Sequence, residues 1–273
     1  MSVVELLGLR TTEDPLRFQV HVHEGTVTAG GALQGGAGTG AVVTAMELAS
    51  GRPTAWVTGH FLRHAAPDAV LDLEVELCVV GHRVTQAAAR LSAGDQEVMR
   101  ASGAFGTRDL GLEHTWVSPI EAPPPQRCPV RPEFALGDWE ARRAVGRLRE
   151  ELDGSPGPGR SATWFGRPGG KRLVTPGELA MVGDCCALEV SDAVGFYARN
   201  NSLDNTLRMV EPAETEWILS DVRISSLQHG FATVTSHLWS ESRVLMAVFS
   251  QTLVVRRTTE DGEVIRTDKL YAG

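Results

Sequence analysis

Thr175-Pro176-Gly177-Glu178-Leu179-Ala180-Met181-Val182-Gly183-Asp184 is the stretch on which the reading of this chain turns. Thr175 suits an N-cap, Pro176 the first turn, and Glu178, three residues after the cap, completes a capping box. The pattern predicts a helix from Gly177 to about Val190, apolar on nearly every face and hence buried. A strand, Ser161 to Phe165, precedes it. Alternating runs follow at Leu203 to Met209, Thr215 to Ser225, Gly230 to Trp239 and Val244 to Arg256. A strand, one buried helix and then successive antiparallel strands describe a sheet wrapped around a central helix.

The first half of the chain has the same order. Phe18 to Val27 alternates as a strand. Glycine-rich Gly30 to Gly40 opens onto a buried helix over Ala41 to Ala49, which stops near Gly51. Strands are predicted at Thr54 to Leu62, Val70 to Val80, Val84 to Leu91 and Glu97 to Phe105. Overlaying the halves aligns Phe61-Leu62-Arg63 with Thr206-Leu207-Arg208 and sets Ala104 opposite Gln251, at an offset of roughly 145–147 residues. Between the halves, Ser118 to Glu133 is proline-rich and reads as a linker or surface loop. Asp138 to Leu152, with Trp139, Ala144, Val145 and Leu148, reads as a short amphipathic helix. Gly154 to Arg160 forms a second break. The division is therefore an N-terminal unit at 1–118, a connector at 119–160, and a C-terminal unit at 161–273. The fold class is α+β.

Composition narrows the function. A net charge of -8 argues against a general nucleic-acid binder, which needs a basic face. No stretch reaches the length of a membrane span and no leader is evident at the start, so a cytoplasmic protein is expected. Cys78, Cys128, Cys185 and Cys186 fit no zinc spacing and read as small buried hydrophobes. His21 and His23 share a strand face but lack a carboxylate partner at ligand spacing, so no metal is expected. The glycines of 30–40 lack the context of a nucleotide loop. They either allow tight packing or bring helix amides close to an anion or carbonyl. A Gly-x-Ser-x-Gly elbow is absent, against a serine hydrolase.

Several segments together resemble the type II acyl-CoA thioesterases. Gly30-Gly31-Ala32-Leu33-Gln34-Gly35 resembles that family's Gly-Gly-Gln helix entrance, and His60-Phe61-Leu62-Arg63 its Tyr-Phe-Leu-Arg strand. Leu179 to Asp184 is similar to Leu-Ala-Tyr-Ala-Ser-Asp, Ser202-Leu203-Asp204 to a strand start, and Val248-Phe249-Ser250-Gln251 to the last strand. The resemblance implies a double hotdog: two tandem units, each an antiparallel sheet around a central helix. It implies an acyl-CoA substrate hydrolysed without a cofactor, and a homodimer or higher homo-oligomer. It also implies that Asp184, Ser202 and Gln251 hold the attacking water, with amides of the second helix entrance receiving the oxyanion. The first half would then supply pocket wall and pairing edge.

The residues themselves leave alternatives open. Asp184 is the only carboxylate within the core of its helix, where an acid is costly unless hydrogen-bonded or functional. The alternative is a partly exposed or loop-capping Asp. Gln251 shares a strand face with Phe249 and Leu253, which favours the inside, against a solvent-facing Gln. Ser202 is a water-holding hydroxyl or an ordinary serine at a strand start. After Ser-Leu-Asp the family continues His-Ser-Met-Trp-Phe-His, whereas here Asn205-Thr206-Leu207-Arg208-Met209-Val210 follows. That departure motivates the competing reading, an acyl-thioester-binding or scaffold protein without turnover. A hotdog hydratase would need a His beside the Asp, and Thr175 to Val190 contains none.

Overall fold

The computed structural model describes residues 2–28, 30–167 and 169–257. The first half runs α1 (Val3–Leu6), β1 (Leu9–Thr11), β2 (Arg17–His21), α2 (Gly35–Ser50), β3 (Thr54–Phe61), β4 (Val70–Val80), β5 (Val84–Ala93) and β6 (Gln96–Gly106). The second runs β7 (Glu140–Val145), β8 (Arg160–Gly166), β9 (Arg172–Leu173), α3 (Pro176–Asp184), α4 (Val190–Val194), β10 (Ala198–Ser202), β11 (Asp204–Met209), β12 (Glu214–Thr215), β13 (Trp217–Gln228), β14 (Phe231–Ser240) and β15 (Leu245–Arg257). One antiparallel sheet takes the order β1-β2-β4-β5-β6-β3-β11-β15-β14-β13-β8-β7, and β10 also pairs with β15. Strands β3, β4, β5 and β6 back α2, strands β11, β13, β14 and β15 back α3, and the two helices pack on each other.

The halves join where β3 meets β11, with Thr58 opposite Thr206. Their hydroxyls lie 2.9 Å apart across 148 residues of sequence. Thr58 pairs onward with Ser102 as Thr206 pairs with Ser250, so the ladders repeat at that offset. The register therefore puts Gly103, not Ala104, opposite Gln251.

Helix α2 begins earlier than its composition suggests. Gln34 is the N-cap, its Oε1 accepting from Ala37 N at 2.8 Å, and Gly51 closes the helix in the left-handed region at φ 63°. The glycines expected to precede the helix form its first turns. A Cβ on Gly36 would lie 2.5 Å from Ala180 O, and one on Gly40 would lie 2.6 Å from Gly177 O. Their helix-propensity penalty is thus offset by close approach of α2 and α3.

Three other expectations change. The capping box of α3 forms as read, but the α-helix ends at Asp184 and continues as a 3-10 turn, Cys185–Glu189, before α4. Side chains take the carbonyls there: Gln34 Nε2 donates to Met181 O at 3.0 Å and Gln251 Nε2 to Asp184 O at 3.2 Å. The strand expected over Phe18 to Val27 stops at His21, because His23 Nδ1 accepts from Gly25 N and turns the backbone. The amphipathic helix expected over Asp138 to Leu152 is instead β7 plus a 3-10 turn, Arg149–Glu151. Ala141 and Arg143 are buried at a period of two, and pairing with β8 satisfies the backbone.

The proline-rich connector is a cover as well as a link. Ile120, Ala122 and Cys128 pack on Trp164, Trp217, Leu219 and Trp239, closing the outer face of the second half's sheet. Trp164 Nε1 donates to Pro123 O at 2.9 Å. Arg131 from the connector and Arg143 from β7 both bond the carboxylate of Glu189, which is 1% exposed. Burial works to raise the Glu189 pKa, but the two guanidiniums win and bring it to about 2.

Candidate active site

Asp184, Ser202 and Gln251 come from three elements and meet. Asp184 ends α3, Ser202 ends β10, and Gln251 lies on β15 with Phe249 and Leu253 buried on the same face. Ser202 Oγ lies 3.0 Å from Gln251 Oε1 and 3.4 Å from Asp184 Oδ1. Asp184 is 8% exposed and Gln251 2%, so neither is a solvent-facing residue.

Gln251 Nε2 is committed to Asp184 O and to Cys186 Sγ, at 3.2 and 3.1 Å. That orientation turns its carbonyl oxygen to Ser202. The serine has one proton and two acceptors in reach, Gln251 Oε1 and, at the longer distance, Asp184 Oδ1. Burial raises the Asp184 pKa above its usual 3.8, opposed by the Gly36 backbone amide, Asn205 and Ser202.

The first half does more than wall the pocket. A Cβ on Gly35 would sit 3.2 Å from both carboxylate oxygens of Asp184, and one on Gly36 would lie 2.6 Å from its Cβ. The carboxylate therefore abuts the first turn of α2, the positive end of that helix. Asp184 thus lies by the first helix entrance and not by the second, the one expected to receive the oxyanion. The N-terminus of α3 lies at the other end of that helix, about 12 Å away by its rise. Glu178 is engaged there with Thr175, Arg167 and Arg172.

Asn205 was missed by sequence reasoning. It is 0% exposed, on β11, and its Oδ1 accepts from Thr39 Oγ1 of α2 at 2.8 Å. The available signal was a polar residue beside Ser202-Leu203-Asp204 and two before the buried Leu207. Cys185 and Cys186 flank the site, but burial and then the Asp184 charge push both thiols well up, so they are poor nucleophiles.

On the opposite side of the helix pair, a Cβ on Gly177 would meet Thr44 Oγ1 at 2.8 Å, Leu7 Cδ1 at 2.9 Å and Val3 Cγ2 at 3.1 Å. The segment at α1 thus fills the space by the α3 N-terminus that the site occupies by the α2 N-terminus.

The chain is similar along most of its length to solved structures. A protein of Novosphingobium aromaticivorans, itself only provisionally called a thioesterase, is 27% identical, with 90% of this chain and 98% of that one covered and a TM-score of 0.79. A hot dog fold protein of unknown function from Alicyclobacillus acidocaldarius is 16% identical, covering 95% and 99% with a TM-score of 0.80. Acyl-CoA thioesterase II TesB2 from Mycobacterium marinum is 19% identical, covering 94% and 99% with a TM-score of 0.74. The last two likenesses concern the fold alone. No curated protein matches the sequence. The acyl-CoA thioesterase C-terminal domain matches residues 117–255, half of the chain. With the acid, hydroxyl and amide of Asp184, Ser202 and Gln251 converging inside that match, the chain belongs to the acyl-CoA thioesterase family.

Proposed function

We propose that the protein hydrolyses acyl-CoA to free acid and CoA by direct attack of water, with Asp184 as general base and Ser202 and Gln251 as water holders. The observation that carries this reading is the contact of the Asp184 carboxylate with both the Ser202–Gln251 pair and the first turn of α2. Asp184 takes a proton from the water as its oxygen attacks the thioester carbonyl. The electropositive turn at Gly35 and Gly36 stabilises the charge that develops on that carbonyl oxygen. The CoA thiolate then departs. The arrangement is read as a double hotdog, with units at 1–118 and 161–273 and the connector at 119–160; residues 258–273 lie outside those described. The sheet order, with one helix backed by each half, supports this. A cytoplasmic homodimer or larger assembly is part of the same proposal. No helix of the described residues is long and apolar enough to cross a membrane.

The test is release of free thiol from acyl-CoAs of short to long chain, for wild type and Asp184→Asn. The variant should keep its Tm and lose about 10²–10⁴-fold in kcat. Because burial holds the Asp184 pKa up, wild-type kcat should fall with acid through a pKa above the usual carboxylate value of 3.8. If neither protein releases thiol while acyl-CoA raises the Tm of both, the binding reading replaces hydrolysis.

A further inference from the structure

We infer that Asn205 is a positioning residue for Asp184, oriented by Thr39 from the other half of the chain. The inference rests on the reading of Asp184 as base.

Asn205 occupies a core-facing place on β11. Leu207, two residues on and on the same face, is fully buried, and Gly59 is its cross-strand partner on β3. A Cβ on Gly59 would lie 3.5 Å from Asn205 Oδ1 and 3.6 Å from Thr39 Oγ1, ordinary contacts that place this pair beside β3; the room the glycine leaves is taken by Met99 Cε, the atom nearest that position. Oδ1 takes the Thr39 hydroxyl at 2.8 Å, which fixes the amide plane and sends Nδ2 the other way. Nδ2 is buried and completes no hydrogen bond with any described residue. A buried amide donor left unpaired is costly, a cost that a leucine there would avoid. The compensation lies across the first turn of α2. Thr39 Oγ1 is 3.1 Å from Gly35 O, and Gly35 is the residue against which both Asp184 oxygens lie. Asn205 and Asp184 therefore flank the same helical turn, close enough for the amide to favour the ionised carboxyl.

The other groups that favour the charged carboxyl reach it from elsewhere: the Gly36 amide from α2 and the Ser202 hydroxyl from β10, while Cys185 and Cys186 are neutral thiols. Asp204, next to Asn205 on β11, uses Oδ1 to accept from Thr252 N on β15 at 2.9 Å. Asn205 is thus the side-chain donor from the β3–β11 seam that supports the charged form of the base, and its own orientation depends on the first half.

The experiment is the pH profile of kcat for wild type, Asn205→Leu, Thr39→Val, the double variant and Asp184→Asn. Losing the donor should move the acid limb of Asn205→Leu up by about one to two pH units, the worth of one hydrogen bond to a charged group. Thr39→Val should shift it less, in the same direction, and add nothing in the Asn205→Leu background. A rate loss with the limb unmoved, or a Thr39→Val shift that persists without Asn205, overturns the inference and leaves Asp184 as base intact. Full activity in Asp184→Asn overturns the underlying reading first. Should Asn205→Leu not fold, Thr39→Val decides alone, an unmoved limb refuting the inference.

Discussion

Replacing Gly36 with alanine and, separately, Gly38 with alanine should give opposite results from the same chemical change. The two glycines are two residues apart in α2, and alanine is the better helix former by about 0.5–1 kcal/mol at each. At Gly38 the added methyl would meet Leu33 Cδ2 at 3.5 Å and Met99 Sδ at 3.8 Å, ordinary contacts. Gly38→Ala should therefore raise stability by about that amount. At Gly36 the methyl would lie 2.5 Å from Ala180 O, 2.6 Å from Asp184 Cβ and 2.8 Å from Met181 Cα. Two of those atoms are backbone and none can swing away. The helices must part by nearly 1 Å, an overpacking cost of about 1–3 kcal/mol. In a chain of this size that lowers Tm by about 2–10 °C. The displaced group is Asp184 itself, and a misplacement of about 1 Å at the reacting centre can cost about 100-fold in rate. Thermal unfolding and thioester hydrolysis, measured on both variants, check the pair. Wild-type stability and rate in Gly36→Ala would refute the claim that close approach of α2 to α3 sets the carboxylate.

Glu189→Gln leaves Arg131 and Arg143 with no carboxylate between them and should cost about 3–5 kcal/mol in urea unfolding. The folded pKa of Glu189, about 2, is below the ordinary 4.5, so its stabilisation is complete above 4.5 and is lost as pH falls toward 2. That loss amounts to about 3 kcal/mol, and acid unfolding of Glu189→Gln should show a correspondingly flatter dependence in that window. A maleimide at neutral pH should label exposed Cys78 alone in the folded protein and leave hydrolysis unchanged, as read by mass spectrometry and rate. Labelling of Cys185 or Cys186 before unfolding would contradict their burial.

What could be read from the sequence was local. Period-two runs gave β4, β5, β13, β14 and β15, and Thr175 with Glu178 gave the start of α3 as a capping box. The start of α2 is not legible in the sequence because Gly35, Gly36, Gly38 and Gly40 are poor helix formers, and what compensates them is a second helix some 140 residues away. Glu140–Val145 misled in a similar way. Arg143 looks like the polar face of a helix until its partner, Glu189, is known. Asp184, Ser202 and Gln251 were reached through family resemblance, since nothing in their spacing brings them together. Asn205 escaped because its role depends on Thr39, a contact made only after the halves have joined.

That junction has a consequence for stoichiometry. A pair of identical hotdog units related by two-fold symmetry would present two equal clefts, each built from one unit's acid and its neighbour's helix. Joined in one chain, the units are free to diverge. Here the polar trio lies by the N-terminus of α2, and Leu7 and Val3 lie against Gly177 by that of α3. On the proposed reading each polypeptide then carries one working centre, with its two sides drawn from different halves. Neither half expressed alone would contain it, while the two halves supplied as separate chains would recover activity only to the extent that β3 and β11 find each other.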